Sequence, residues 1–153
     1  MMFAIDTNLL VHAHNTDSSL HTQAAAFVTR VMNERDSEGK LSVCLPVQVL
    51  TEFVYVVTWQ RLPSPLPLAE AIRIVQSYVD TGVEIIHQRE THIQTFLGLL
   101  QNVTSRKKVF DVALAATLKD NGISRLYTVN VADFREFDFL TATDPVGSDD
   151  NPG

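Results

Sequence analysis

Four acidic residues, Asp6, Glu52, Asp111 and Asp133, stand where a carboxylate either costs free energy or faces a site. Asp6 ends the apolar run Met2-Phe3-Ala4-Ile5 and precedes the small polar residues Thr7 and Asn8. Such a run, short and without helical spacing, reads as a strand buried on both faces. The residue after it then lies at the carboxyl edge of a sheet, where open α/β folds place their sites. Glu52 sits among Val47, Val49, Leu50, Phe53, Val54, Val56 and Val57, a helix apolar nearly all round. A carboxylate there is unfavourable unless it is paired or ligates a metal; the structural alternatives are an exit through a gap or an ion pair with Arg61. Asp111 opens an alanine-rich helix behind Arg106, Lys107 and Lys108, a position equally suited to an N-cap or first-turn acid. In Thr128-Val129-Asn130-Val131-Ala132-Asp133-Phe134 a second strand ends in polar residues. Thr128, Asn130 and Asp133 are candidates there, against the alternative that Asp133 caps a short helix and Phe134 fills the core.

Carboxylates crowded together raise one another's pKa values. A divalent cation relieves the repulsion, and an all-oxygen donor set suits Mg²⁺ or Mn²⁺. Such an ion orients water for attack on a phosphate and stabilises developing charge.

The elements that must bring these residues together can be followed along the chain. Asn8 to His14 continues as a short turn or helix. Ser18 or Ser19 caps a helix through Ala24, Phe27, Val28 and Val31, with Gly39 as a stop. Residues 41–45 read as a strand, and Pro46 as the first position of a helix over residues 47–60. A proline-rich loop spans residues 61–67. A helix over 68–78, ended by Gly82, precedes a strand at 83–86. Ile93, Phe96, Leu97 and Leu100 form one face of the next helix. Residues 109–120 are strongly helical and close at Asn121-Gly122. Residues 126–128 make a fourth strand and residues 137–140 a possible fifth. Alternating strands and helices predict a three-layer α/β/α sandwich around a mainly parallel, four- or five-stranded sheet.

With 153 residues, 45% hydrophobic and 20% charged, the chain reads as one soluble domain over residues 1–143. A loose acidic tail, residues 144–153, follows it. The single cysteine, Cys44, excludes an internal disulfide and fits a reducing compartment; its apolar context reads as a buried small hydrophobe. The acidic start predicts no signal peptide. Pro46, Gln48 and Glu52 interrupt the longest apolar stretch, so no membrane span is expected, and the location expected is cytoplasmic. The formal net charge of −6 argues against a general nucleic-acid binder. Two bound divalent ions would offset much of it.

Taken together, Asp6-Thr7-Asn8 after a first strand, Glu52 in the helix after Pro46, Asp111 before Leu114-Ala115-Ala116, and Thr128-x-Asn130-x-x-Asp133-Phe134 resemble the PIN-domain nucleases, more narrowly the VapC-type toxins of toxin–antitoxin pairs. The resemblance covers the chain up to the tail. It implies a parallel sheet flanked by helices, a Mg²⁺- or Mn²⁺-dependent ribonuclease acting on RNA, a cognate antitoxin, and a homodimer. By position, Asp6, Glu52 and Asp111 would be the core metal ligands, and Thr128 or Asn8 would orient a ligand or water. Many members carry an acid two residues after the threonine, where this chain has Asn130. Asp133 is the nearest acid, so either a one-metal or a two-metal site is consistent with the pattern. Water would attack a phosphodiester in line, leaving a 3′-hydroxyl and a 5′-phosphate. Arg106, Lys107 and Lys108 could hold the RNA backbone, with a solvated charge run as the alternative.

Rival classes are weaker on residue grounds. A phosphatase using Asp6 as nucleophile wants a second Asp two residues on, where Asn8 stands. None of His12, His14, His21, His87 and His92 pairs with an acid or lysine in sequence, as a histidine ribonuclease would need. There is no GxGxxG and no GxxxxGK[ST]. A non-catalytic interaction module, its acids purely structural, would bind a partner protein and need no metal.

Overall fold

The computed structural model describes residues 1–147. Its elements are β1 (Phe3–Ile5), α1 (Thr7–His14), α2 (His21–Val31), β2 (Val43–Pro46), α3 (Val47–Val57), α4 (Leu68–Asp80), β3 (Glu84–Ile86), α5 (His92–Leu100), α6 (Val109–Asp120), β4 (Arg125–Tyr127) and β5 (Thr141–Thr143). Short 3₁₀ turns cover Arg106–Lys108 and Val131–Phe134.

All five strands run parallel, in the order β3-β2-β1-β4-β5. Parallel neighbours require crossovers, and the helices supply them. Helix α1 packs on both α2 and α3, α3 packs on α4, and α5 packs on α6. The chain thus winds outward from β1 to β3 and then returns past β1 to β4. With right-handed crossovers the two helix groups fall on opposite faces of the sheet. The reversal places the topological switch point between β1 and β4, where open α/β sheets bind ligands.

Central strand residues explain the layering. Ala4, Ile5, Val43, Cys44 and Leu45 are fully buried, as a sheet covered on both faces demands. Leu9, Leu10, Val49, Phe53, Val112 and Leu118 close over it from the helices. Cys44 behaves as the buried hydrophobe expected, its thiol pushed up to about 12 by burial. No described helix is long and apolar enough to cross a membrane.

Several local expectations are corrected. Leu20, without a side-chain cap, precedes α2; Ser18 instead accepts from the Leu20 N–H at 3.0 Å and bonds His12 Nδ1 at 2.6 Å. Helix α2 ends well before Gly39, whose φ of +79° serves a separate turn. That turn is closed by the Asp36 carboxylate, which accepts from the N–H groups of Glu38 and Lys40. Pro46 ends β2 and occupies the position just before α3. Residues 137–140 are not a strand: Phe137 and Leu140 are buried in a turn, and the fifth strand is Thr141–Thr143. On α5, Ile93 and Leu97 are exposed, while Phe96, Leu99 and Leu100 pack partly against the core. Of the expected tail, Val146 is partly buried against the core, and residues 148–153 lie outside the described region.

Candidate active site

Asp6 leaves β1 and stands at the N-terminus of α1, buried to 9% exposure. Its Oδ1 accepts from the Thr7 N–H at 2.8 Å. Its Oδ2 accepts from the Thr128 hydroxyl at 2.8 Å and from Asn8 Nδ2 at 3.4 Å. Thr128, fully buried just past β4, also accepts from Asn8 Nδ2 at 3.3 Å and from the Asn130 N–H at 3.0 Å. Asn8 Oδ1 accepts from the Val129 N–H at 3.3 Å. This network stitches the ends of the two switch-point strands together and fixes the direction of the Asp6 carboxylate.

Glu52 comes from α3 and is half-buried. It is not paired with Arg61. Its Oε2 accepts from the Thr7 hydroxyl and its Oε1 from Gln48 Nε2, both at 3.0 Å. Helix α3 is less uniformly buried than its composition implies, because Val47, Thr51 and Tyr55 face solvent. Thr7 and Gln48 are the site residues that pattern reading missed. The signal was present in part: Gln48 and Glu52 are one helical turn apart, so their side chains meet, and Thr7 adjoins Asp6.

Asp111 lies in the first turn of α6, half-buried, and makes no capping bond. Asp133 lies in the Val131–Phe134 turn, half-buried, its N–H donating to the Asn130 carbonyl. Among the described residues neither carboxylate accepts a hydrogen bond. Asn130 is exposed and contributes its backbone N–H to Thr128 rather than its amide. The acid that reaches the site after β4 is therefore Asp133.

These acids lie near enough to feel one another's charge. Burial raises the Asp6 carboxyl above the ordinary range against the hydrogen bonds from Thr128 and Thr7, and the charges of Glu52 and Asp133 push it further. Burial likewise lifts Asp111 to about 6, helped by Asp6, Asp133 and Glu52 and opposed by Lys108. Lys108 is itself shared with Glu136 at 3.2 Å. One divided cation against four carboxylates leaves an excess of negative charge in a partly desolvated place. Arg106 and Lys107 are exposed beside it, without an ion pair among the described residues.

Among the described residues no three His, Cys, Asp or Glu side chains are close enough together to enclose a metal ion as they stand. The donor chemistry nevertheless fits Mg²⁺ or Mn²⁺. The oxygens are hard, their charge is unneutralised, and Mg²⁺ keeps several waters while using only one or two carboxylates. A closed three-acid cage is not required.

No family model matches the chain. It is 28% identical over 149 residues to Ribonuclease VapC24 of Mycobacterium tuberculosis, covering 97% of this chain and 99% of that protein. Among solved structures it is similar to VapBC2 of Rickettsia felis bound to a promoter DNA fragment, with a TM-score of 0.62, 16% identity, and 94% and 98% of the two chains covered. VapC20 of Mycobacterium tuberculosis, a toxin that cleaves the sarcin–ricin loop, matches with a TM-score of 0.59 and 15% identity over 81% of this chain and 86% of that one. The resemblance to VapC-type PIN-domain proteins is thereby borne out, and the all-parallel sheet flanked by helices is their fold.

Proposed function

We propose that this chain is a VapC-type endoribonuclease, the toxin of a toxin–antitoxin pair, and that its activity depends on Mg²⁺ or Mn²⁺. The observation that carries the reading is that Asp6, at the switch-point end of β1, and Asp111, at the start of α6, both lie within reach of the charges of Glu52 and Asp133. Full-length similarity to a ribonuclease supports it.

Asp6, Glu52 and Asp111 would hold the ion between them, one or two directly and the rest through its waters, with Asp133 beside them for the same or a second ion. Bound there, the ion would supply positive charge at the scissile phosphate and acidify the attacking water. The protein's own part is positional. Thr128 and Asn8 hold Asp6, and Thr7 and Gln48 hold Glu52, so the carboxylates are oriented before substrate arrives. Arg106 and Lys107 offer cations for flanking RNA phosphates; Lys108 is engaged by Glu136 and serves the site by moderating Asp111.

The VapBC complexes among the solved neighbours support an antitoxin as partner. Tyr55 and Trp59, exposed on α3 and just past it, offer aromatic surface for such a protein, with the half-buried Leu62 nearby. Homodimerisation and a cytoplasmic location complete the proposal. Incubation of the purified chain with RNA and Mn²⁺ tests it: cleavage that disappears in Asp6→Asn supports the reading, and intact RNA under all divalent ions overturns it.

A further inference from the structure

Beside the acidic site, on the Glu52 side, lies a cavity of about 600 Å³ between the starts of α3 and α6 and the end of β3. Gln48, Glu52, Ile86, His87, Gln88 and Phe110 contribute to its walls. Glu52 thus belongs to the cavity and to the acidic site at once. Phe110 immediately precedes Asp111, yet 71% of its surface is exposed, an unusual placement for a large apolar ring beside a polar site. Gln48 ties the Phe110 backbone to Glu52: its Nε2 donates to Glu52 Oε1 at 3.0 Å and to the Phe110 carbonyl at 2.9 Å. Both partners are acceptors, so the amide NH₂ faces them, and the amide oxygen accepts no bond among the described residues.

The volume lies within the roughly 300–1,000 Å³ range of small-molecule sites. No lysine or arginine lines it, so it is unsuited to a phosphate and suited to a neutral, planar, heteroaromatic group with N–H donors. We propose that the cavity receives the nucleobase next to the scissile phosphate of unpaired RNA, stacked on Phe110 and offered the free Gln48 acceptor. This rests on the ribonuclease reading above. A base can enter only when splayed from its neighbours, as in single-stranded loops and ends, and stacking on an aromatic face is tolerant of sequence.

The test compares wild type, Phe110→Ala and Phe110→Trp in Mn²⁺-dependent cleavage of single-stranded oligoribonucleotides. Binding of an oligoribonucleotide carrying 2-aminopurine, whose fluorescence is quenched by stacking, is followed in Asp6→Asn with and without Phe110→Ala. The expected result is a KM raised about tenfold by Phe110→Ala at nearly unchanged kcat. Phe110→Trp keeps the wild-type KM, and the quench requires the ring. Cleavage by wild type with KM and quench indifferent to Phe110 overturns the base pocket and leaves the nuclease standing. A change in oligomeric state or antitoxin binding alone, with RNA parameters intact, overturns it too. Failure of wild type to cleave any of the oligoribonucleotides removes the ribonuclease reading and the pocket with it.

Discussion

Thr128 donates its hydroxyl proton to Asp6 Oδ2 over 2.8 Å, joining residues 122 positions apart in the chain. Both are buried at the ends of adjacent parallel strands, so the bond is a product of the switch-point topology. It supplies one oxygen of a desolvated carboxylate with a donor from within the protein.

Thr128→Val keeps the shape and removes that donor. An under-satisfied buried carboxylate costs about 1–3 kcal/mol, expected as a fall of several degrees in Tm. Thr128→Ser should recover most of it. Thermal melting of the three proteins in EDTA checks this; equal Tm values for valine and threonine contradict it.

In the metal-free protein Asp111 and Asp6 should contribute stability that is lost as pH rises, against the opposite contribution of His12 and His14, whose imidazoles burial pushes down. The folded pKa of Asp111 is lifted to about 6 from its ordinary 3.8, and Asp6 is raised in the same direction. Between those values each of these two carboxyls binds more protons in the folded state than in the unfolded state, so its contribution to the unfolding free energy falls with increasing pH. Melting curves from about pH 4 to about pH 7 in EDTA should show this slope reduced in Asp111→Asn. An identical slope in the variant refutes the assignment.

Glu52 depends on Thr7 and Gln48 for its orientation. Removing such a supporting bond commonly costs a metal site about 10–100-fold in affinity. Thr7→Val and Gln48→Leu are each expected to weaken Mn²⁺ binding by that order, measured calorimetrically, with little change in the far-ultraviolet circular dichroism. Unaltered affinity in both would show that their bonds to Glu52 are structural only.

Arg106 and Lys107 carry cations not engaged by described acids, whereas Lys108 faces Glu136. If the first two meet RNA phosphates, the double alanine variant should flatten the slope of log affinity against log salt by about 0.7 for each phosphate no longer neutralised. Lys108→Ala should instead raise the Asp111 pKa further, since Lys108 now lowers it. Filter binding across salt concentrations separates the two roles.

The site is legible in the sequence where local chemistry and strand position coincide. Asp6 follows an apolar run that reads as an inner strand, and Thr128 reads as the polar end of another, so a parallel topology assigns both to one edge of the sheet; in the structure that strand ends one residue earlier, at Tyr127. Hydrophobic pattern fails where it carries no phase. Helix α5 is apolar at Ile93, Phe96, Leu97, Leu99 and Leu100, so spacing alone could not tell that Leu99, rather than Ile93 and Leu97, turns inward. Phe137 and Leu140 look like a strand because they are apolar, but they bury themselves from a turn. Thr141–Thr143 forms the edge strand through backbone pairing with β4, which side chains do not advertise. Gln48 is visible in sequence only as an interruption of an apolar stretch; its partners, Glu52 and the Phe110 carbonyl, become evident once the starts of α3 and α6 meet at the carboxyl edge of the sheet.

The central claim is that Asp6 and its neighbours form a divalent-ion site. Calorimetric titration of Mn²⁺ into the wild-type chain and Asp6→Asn, with parallel thermal melts, tests it most directly. The account predicts binding to wild type with a rise in Tm, and loss of both in the variant, which should itself be no less stable than wild type in EDTA because a repelled buried charge has gone. Absence of binding to wild type at millimolar Mn²⁺, or equal binding to both proteins, would contradict it.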